Sequence, residues 1–276
     1  MHLRKVSAIA RPVDLRYPTN RAIAVLVVVV VVGESVRQLL MGTAWVACGR
    51  LGMGLGLAVF LAWAICREID PDRDLSAFVA AGLALVGTAT CGLPGLGILF
   101  WLLLSVRIVN RTTGLPATRL DSLGVLSLAA WLSVSGTWQF GVIATIPFLL
   151  DATMAPQHQR HLAFGIVTFV VAATAAIWSG VVRSLSAAHL MSGAAALILC
   201  LLFVPVIRSA GSVRSLADDT QQRLSPSRVR AGQMFALLAG VTAAFWVGTE
   251  GLLLLLPLWA AVVGAAGFLI TKSVAQ

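Results

Sequence analysis

Long apolar stretches, interrupted by short turns rich in glycine, proline and serine, alternate with longer polar segments along the chain. A helix that crosses a bilayer needs about 20 mostly apolar residues. At that length the stretches pair into five helical hairpins, at residues 21–66, 75–109, 121–150, 161–207 and 231–270. The pattern therefore predicts an all-α, polytopic integral membrane protein with about ten transmembrane helices.

The hairpin at residues 121–150 is the weakest part of this division. Its 30 residues leave 15 for each helix, or about 22 Å at the α-helical rise, which is short for a full crossing. The alternative is eight spans and one re-entrant hairpin in a thinned bilayer. In both cases the chain divides into a basic N-terminal arm (1–20), a single transmembrane domain (21–270) and a short C-terminus (271–276). The inner loops fall near 67–74, 107–121, 151–160 and 208–230.

Composition and charge give this topology a direction. Apolar residues make up 59% of the chain and charged residues 11%, too few to give a soluble domain its polar surface. The division places 17 of the 20 Lys and Arg residues on one side, with only Arg37, Arg50 and Arg183 elsewhere. Because basic residues accumulate on the cytoplasmic side of membrane proteins, we expect both termini to be cytoplasmic and the protein to lie in the plasma (inner) membrane.

The formal net charge of +9 does not indicate nucleic-acid binding, since the basic residues are spread over every inner loop. The expected partners are the lipid bilayer and anionic lipid head groups at the inner face, with a protein partner or a homo-oligomer left open. The apolar segment 22–32 follows a basic arm, as in a signal peptide, but no small-residue cleavage site follows, which favours an uncleaved first helix. The four cysteines have no C-x-x-C spacing and are expected to be buried apolar residues, with a Cys48–Cys91 disulfide as the alternative.

Polar side chains that carry chemistry gather in three inner loops. These side chains define a candidate inner-face polar site: Glu68, Asp70, Asp72, Asp74, Arg107, Asn110, Arg111, Thr112, Arg119, Asp121, Asp218 and Asp219. The second and third loops also align with one gap, Asn110 on Asp218 and Arg119 on Arg228. This similarity predicts either a weak internal repeat or a chance resemblance between polar loops.

Two interpretations of these loops stand side by side. In the structural one, the acids cap helices or pair with arginines at helix ends. In the functional one, the carboxylates hold Mg²⁺ and the arginines grip a phosphate, so that the site binds or processes a phosphorylated or lipid-linked substrate. Asp151, His158 and His161 form a further D-x₆-H-x₂-H cluster, for which solvated loop histidines are favoured over a metal half-site, so no metal is assigned.

Charges inside the spans are few. Glu34 and Arg37 lie three residues apart on the first helix and form a candidate intramembrane pair. They suggest a second function, a small-solute transporter or permease subunit with this pair along its path. Glycine- and alanine-rich helices suggest a third, a membrane structural or assembly protein. Whether the protein is an enzyme stays open, as do its catalytic residues and its cofactor.

Overall fold

The computed structural model describes residues 7–11, 13–179 and 187–274. Expectations for the first six residues and for the predicted turn at 180–186 lie outside the described residues. The described chain forms twelve α-helices and contains no strand: α1 (Pro18–Leu40), α2 (Trp45–Ile69), α3 (Ser76–Cys91), α4 (Leu96–Asn110), α5 (Arg119–Leu132), α6 (Trp138–Ile143), α7 (Thr145–Thr153), α8 (Arg160–Ser179), α9 (Ala187–Ser209), α10 (Pro226–Val247), α11 (Thr249–Leu254) and α12 (Leu256–Val274).

Several of these helices suit a membrane. By length and composition, six helical stretches among the described residues could cross one: Pro18–Leu40, Trp45–Ile69, Arg119–Thr153, Arg160–Ser179, His189–Ser212 and Pro226–Val247. Three shorter helices are also apolar: Ser76–Cys91, Leu96–Asn110 and Leu256–Thr271. The predicted all-helical class is therefore confirmed, and the apolar helices agree with a membrane protein. The count of ten spans and their pairing into hairpins stay predictions.

The stretch Arg119–Thr153 is not one straight helix. A π-helical turn at Ser133–Thr137 follows α5, and inside it Gly136 has a φ of 90°, a conformation that is open to glycine and costly for residues with a Cβ. Ser122 near the start and Asp151 near the end both lie 2.8 Å from the ring of His161. The chain therefore doubles back within this stretch.

Glycine contacts bring the helices close together. A Cβ atom on Gly52 would clash with Ser35 and with the carbonyl of Val31, so that α2 packs tightly on α1 only because this position is glycine. A Cβ on Gly264 would lie 2.8 Å from the backbone nitrogen of Ala80, where α12 crosses α3. At Gly267, in contrast, no atom lies within 4 Å of the Cβ position.

The interior is centred on α4. Trp101 is fully buried and meets Phe140 of α6 and Phe235 of α10 edge-on, with ring centroids 6.0 Å apart in both cases. In contrast, α1 and α8 leave most of their apolar side chains exposed, as expected of surfaces that face lipid. All four cysteines are free, and Cys91 is exposed while Cys48 and Cys66 are buried, so the alternative of a Cys48–Cys91 disulfide is wrong.

Candidate functional site

Three polar loops meet at one end of the bundle, where α2, α4 and α9 end and α3, α5 and α10 begin. The backbone nitrogens of Asp218 and Asp219 donate to the carbonyls of Thr112 and Thr113, at 3.1 Å each. The carboxylate of Asp72 accepts hydrogen bonds from the backbone of the 210–225 segment. The sequence places these loops on one side, whereas their direct contact is a property of the tertiary structure.

The carboxylates of Asp72 and Asp121 accept hydrogen bonds from backbone nitrogens. Asp72 accepts from the backbone nitrogens of Arg214 and Ser215, at 3.0 and 2.9 Å, and from the Ser215 hydroxyl at 2.6 Å. Burial works to raise the pKa of Asp72, but these hydrogen bonds outweigh it and lower the pKa. Asp121 forms a capping box with Thr118 at the start of α5 and also accepts from the backbone nitrogen of Ala8, 2.8 Å away.

Asp70 and Asp74 pair with arginines of their own loop region. Asp70 accepts from Arg73 at 2.5 Å and from the Ser76 hydroxyl at 3.0 Å. Burial raises the pKa of Asp70 even though Arg73 opposes the shift. The half-exposed Asp74 lies 2.8 Å from Arg67. Within the described parts of the chain, no three His, Cys, Asp or Glu side chains come together as a metal site.

Asp151 is the centre of a buried ion-pair cluster. Its side chain is fully buried and meets Arg111 at 2.7 and 3.0 Å, Arg228 at 2.7 Å and the Nδ1 atom of His161 at 2.8 Å. Arg228 donates further to the carbonyls of residues 109 and 154–156, which ties the end of α4 to the loop before α8. The cluster sets one carboxylate against two guanidinium groups, and its contacts join α4, α7, α8 and α10.

The two loop histidines differ from the sequence expectation. His161 is fully buried, and its Nε2 lies 2.8 Å from the Ser122 hydroxyl, so the prediction of solvated histidines is wrong for this residue. His158 packs against it, with ring centroids 4.7 Å apart. Burial, followed by the nearby His161 and Arg160, lowers the pKa of His158. A metal half-site is not needed to explain either ring.

A second buried cluster is built around Glu68 at the end of α2. Its Oε1 atom lies 3.1 Å from Arg11 and 2.9 Å from Arg107. Arg11 also grips Asp218 with two hydrogen bonds of 2.6 and 3.0 Å. Burial works to lower the pKa of Arg11, but the two carboxylates outweigh it and raise the pKa. The N-terminal arm is thereby joined to α2, α4 and the 210–225 segment.

A cavity of about 790 Å³ opens beside the Glu68 cluster. It lies between the N-terminal arm, the start of α1, one face of α2 and the 210–225 segment. That face of α2 follows the helical repeat: Phe60, Trp63 and Ala64 line the cavity first, and Arg67 and Glu68 follow towards the end of the helix. The cavity thus changes from apolar to polar along α2.

Charged side chains of both signs line the cavity. Its described lining carries five carboxylates and three guanidinium groups, namely Asp14, Glu68, Asp74, Asp218 and Asp219 against Arg11, Arg67 and Arg107. Among the described residues, the Oε2 atom of Glu68 has no hydrogen-bond partner although the side chain is fully buried. Both arginine partners of Glu68 approach its other oxygen, Oε1.

The structure places the residues of the candidate inner-face polar site at one end of the bundle, where they belong to different groups of contacts. Glu68, Arg107, Asp74, Asp218 and Asp219 line the cavity, whereas Arg111 belongs to the Asp151 cluster. Asn110 is buried and donates from its side chain to the carbonyl of Glu68 at 2.8 Å, and Thr112 is buried where the two loops pair. Arg119 is exposed at the start of α5.

Sequence reasoning missed Arg11, Arg228 and the aromatic face of α2. Arg228 is 2% exposed, while Arg119, its aligned counterpart in the loop comparison, is exposed, so the two loops are not structurally equivalent at this position. The signal for the α2 face was present in the spacing of Phe60, Trp63 and Arg67, which are three and four residues apart. No comparable local signal exists for Arg11, whose partners are 57 and 207 residues away.

The candidate intramembrane pair forms as a local contact. Arg37 makes two hydrogen bonds of 2.7 Å to Glu34, and Gln38 donates to the same carboxylate at 2.7 Å. These partners satisfy Glu34 within a single turn of α1.

Comparison with protein-family models, with curated proteins and with solved structures found no match to this chain. Function is therefore inferred from the geometry alone.

Proposed function

We propose that this chain is a multi-pass plasma-membrane protein that binds the polar end of an amphipathic ligand in the cavity beside Glu68. The observation that carries the proposal is the α2 face that lines the cavity, apolar at Phe60 and Trp63 and charged at Arg67 and Glu68. A ligand with an apolar body and a polar head matches both parts. Ligand cavities commonly combine an apolar lining with a few convergent polar groups, at volumes of roughly 300–1,000 Å³.

The topology that goes with this proposal has ten crossings, or eight and a re-entrant hairpin at residues 121–150, with both termini cytoplasmic. Two observations support it. The basic residues gather in the loops that surround the cavity, and these loops contact one another at one end of the bundle. The polar end would then lie at the cytoplasmic face, at the depth of lipid head groups.

The charges refine the class of ligand. Arg11, Arg67 and Arg107 are each paired with a carboxylate of the described lining, so a phosphorylated substrate held by these arginines would have to displace those pairs. Exposed basic residues outside the cavity, such as Arg208, Arg214 and Arg223, are suited to anionic lipid head groups at the inner face. A transporter path at Glu34 and an assembly role stay predictions, and no reaction is assigned.

The test blocks the cavity without altering its charges. Ala10 is exposed in the N-terminal arm and lines the cavity, so Ala10→Trp should fill its mouth at little cost to folding. The matched control is Ala44→Trp, an equally exposed alanine in the loop between α1 and α2. The purified full chain in mild detergent is screened by thermal shift and native mass spectrometry against lipids of different head groups and against soluble polar ligands.

A ligand that binds only the folded protein stabilises it by about 2.7 kcal/mol at 100 times its dissociation constant. We expect at least one amphipathic ligand to raise the melting temperature of the wild type and of Ala44→Trp but not of Ala10→Trp. The proposal is wrong if no amphipathic ligand binds in a manner that Ala10→Trp abolishes.

A further inference from the structure

We propose that the ligand of the cavity is a bilayer lipid whose head group occupies the cavity and whose hydrocarbon chain lies along the outside of α2 and α4. This inference rests on the proposed binding function and adds the class of the ligand and its route, which is sideways from the inner leaflet. The evidence is the pattern of exposed side chains on the two helices, both of which contribute to the cavity lining.

One face of α2 is open along the length of the helix. In the described stretch 52–69, the side chains that are not buried are those of Met53, Leu57, Phe60 and Arg67. Residues three, four and seven apart lie on the same face of a helix, so these four form a single α2 stripe. Met53 is 53% exposed and Leu57 is 42% exposed. Because Phe60 and Arg67 line the cavity, the α2 stripe leads from the outside of the bundle into the cavity.

α4 carries a matching stripe. In the described stretch 98–110, the side chains that are not buried are those of Phe100, Leu104 and Arg107, spaced four and three residues apart. Phe100 is 46% exposed, and Arg107 lines the cavity. Arg107 also lies 2.9 Å from Glu68 at the end of α2. The stripes of the two helices therefore run in the same direction, from apolar side chains outside to an arginine in the cavity lining.

α1 borders the α2 stripe without covering it. A Cβ atom on Gly56 would clash with the side chain of Val31, and one on Gly52 with the carbonyl of the same residue. These glycines directly precede Leu57 and Met53 in the sequence, and adjacent residues of a helix point in directions about 100° apart. α1 therefore packs beside the stripe and leaves its outer part open to a hydrocarbon chain.

The length of the α2 stripe fits the chain of a lipid in one leaflet. Beyond the cavity, from Phe60 to Met53, the stripe extends about 10 Å at the α-helical rise. The hydrocarbon core of a bilayer is about 30 Å thick, so that one leaflet holds about 15 Å of chain. In the proposed topology the cavity lies at the depth of the head groups. The chain of an inner-leaflet lipid held there by its head would reach the whole exposed stripe, whereas a ligand without such a chain would fill the cavity alone.

The stripes act on the position of the chain more than on affinity. Lipid chains are as apolar as leucine, so a chain gains little free energy by leaving the bilayer for the surface of α2. The head group in the cavity supplies the binding, and the stripes give the chain of the bound lipid a fixed place. The informative measurement is therefore where the chain lies.

The experiment maps the chain of a lipid by photolabelling. The full chain is reconstituted in vesicles of phosphatidylethanolamine and phosphatidylglycerol, and a trace of one or the other lipid carries a diazirine at a chosen depth of an acyl chain. Labelled residues are identified by mass spectrometry. We expect the label to move from Phe60 to Met53 as the diazirine moves away from the head group, at a level at least about threefold above that on Leu197. Leu197 is a 47% exposed leucine of α9 that does not line the cavity.

Two variants distinguish a bound lipid from bulk lipid. Ala10→Trp fills the mouth of the cavity, so it should lower the label on Met53 to the level of Leu197. Leu57→Trp places a larger ring on the α2 stripe outside the cavity lining and should lower the label on Met53 at least about threefold. Leu197→Trp, the same substitution on α9, and Ala44→Trp should leave that label unchanged. Ala10 and Leu57 are both exposed, so that the two variants are expected to fold.

The outcomes separate this inference from the proposed function. Labelling of the stripe that is no stronger than that of Leu197 for either lipid, or that Ala10→Trp leaves unchanged, would overturn the inference. The binding function would then still stand if a ligand raises the melting temperature of the wild type but not of Ala10→Trp. The absence of any ligand sensitive to Ala10→Trp would overturn both.

Discussion

Asp151 gives the sharpest test of how the polar end of the bundle is held together. Its carboxylate is fully buried and is shared by Arg111, Arg228 and His161. The substitution Asp151→Asn keeps the shape of the side chain and removes its charge, so that two buried guanidinium groups lose their counter-charge. Breaking a buried ion pair by removing one partner costs about 3–5 kcal/mol, because the remaining charge stays desolvated.

The assay is the free energy of unfolding of the purified protein in mild detergent, measured by titration with sodium dodecyl sulfate. The matched control is Asp74→Asn, the same substitution in a pair with Arg67 where the acid is 50% exposed. Exposed ion pairs contribute about 0–1 kcal/mol, because water and salt screen them. The difference between the two variants should therefore be at least about 2 kcal/mol.

A double-mutant cycle shows whether the lost stability comes from the interaction between Arg111 and Asp151. Arg111→Met combined with Asp151→Asn should destabilise the protein by less than the two single changes added together, by about 0.5–3 kcal/mol. The reasoning is refuted if Asp151→Asn costs no more than Asp74→Asn, or if the two changes at Arg111 and Asp151 are simply additive.

Three further predictions concern the loops and the helix contacts. Asp72→Asn should lower the free energy of unfolding at pH 7 by about 1 kcal/mol, because it removes a hydrogen-bonded carboxylate. The lowered pKa of Asp72 in the folded protein contributes stability above the ordinary aspartate pKa of 3.8, and this contribution is lost as the pH falls. The free energy of unfolding should therefore depend less on pH in the variant, and detergent unfolding at pH 7 and 3.5 checks this. The lowered pKa of His158 means that the unfolded chain takes up a proton more readily, so stability should fall as the pH drops below about 6.5, and His158→Gln should reduce that fall in melts between pH 7.5 and 5. Gly264→Ala should lower the free energy of unfolding by about 1–3 kcal/mol, because its Cβ meets the backbone of Ala80. The matched change Gly267→Ala, with no atom within 4 Å of its Cβ position, should be neutral or slightly stabilising. Equal thermal stability of the two variants would contradict this packing.

Part of the polar end is readable in the sequence. Thr118 followed three residues later by Asp121 is a capping signal, and the structure forms that box at the start of α5. Pro226 is likewise found in the first turn of α10. Both features depend only on residues within one turn of helix, so that the local sequence carries all the information that they need.

Spacing alone did not decide between the two interpretations of the acidic loop after α2. Glu68, Asp70, Asp72 and Asp74 lie within seven residues and suggest a shared metal site, yet each carboxylate has different partners in the structure. Their separation follows from the end of α2 at Ile69 and the turn after it, which direct successive side chains to different neighbours. These contacts agree with the structural interpretation, in which the acids cap helices or pair with arginines.

What the sequence determined by itself is the helical class, the membrane-compatible apolar stretches and the positions of the polar loops. These follow from hydropathy and composition, which act on each segment independently of the others. Only the tertiary structure decided that Arg11 reaches Glu68 and Asp218, that Asp151 is buried between two arginines, and that a cavity opens beside α2. The physical reason is that an ion pair or a cavity depends on which helices pack together, and residues 40 or more positions apart carry no local record of that packing.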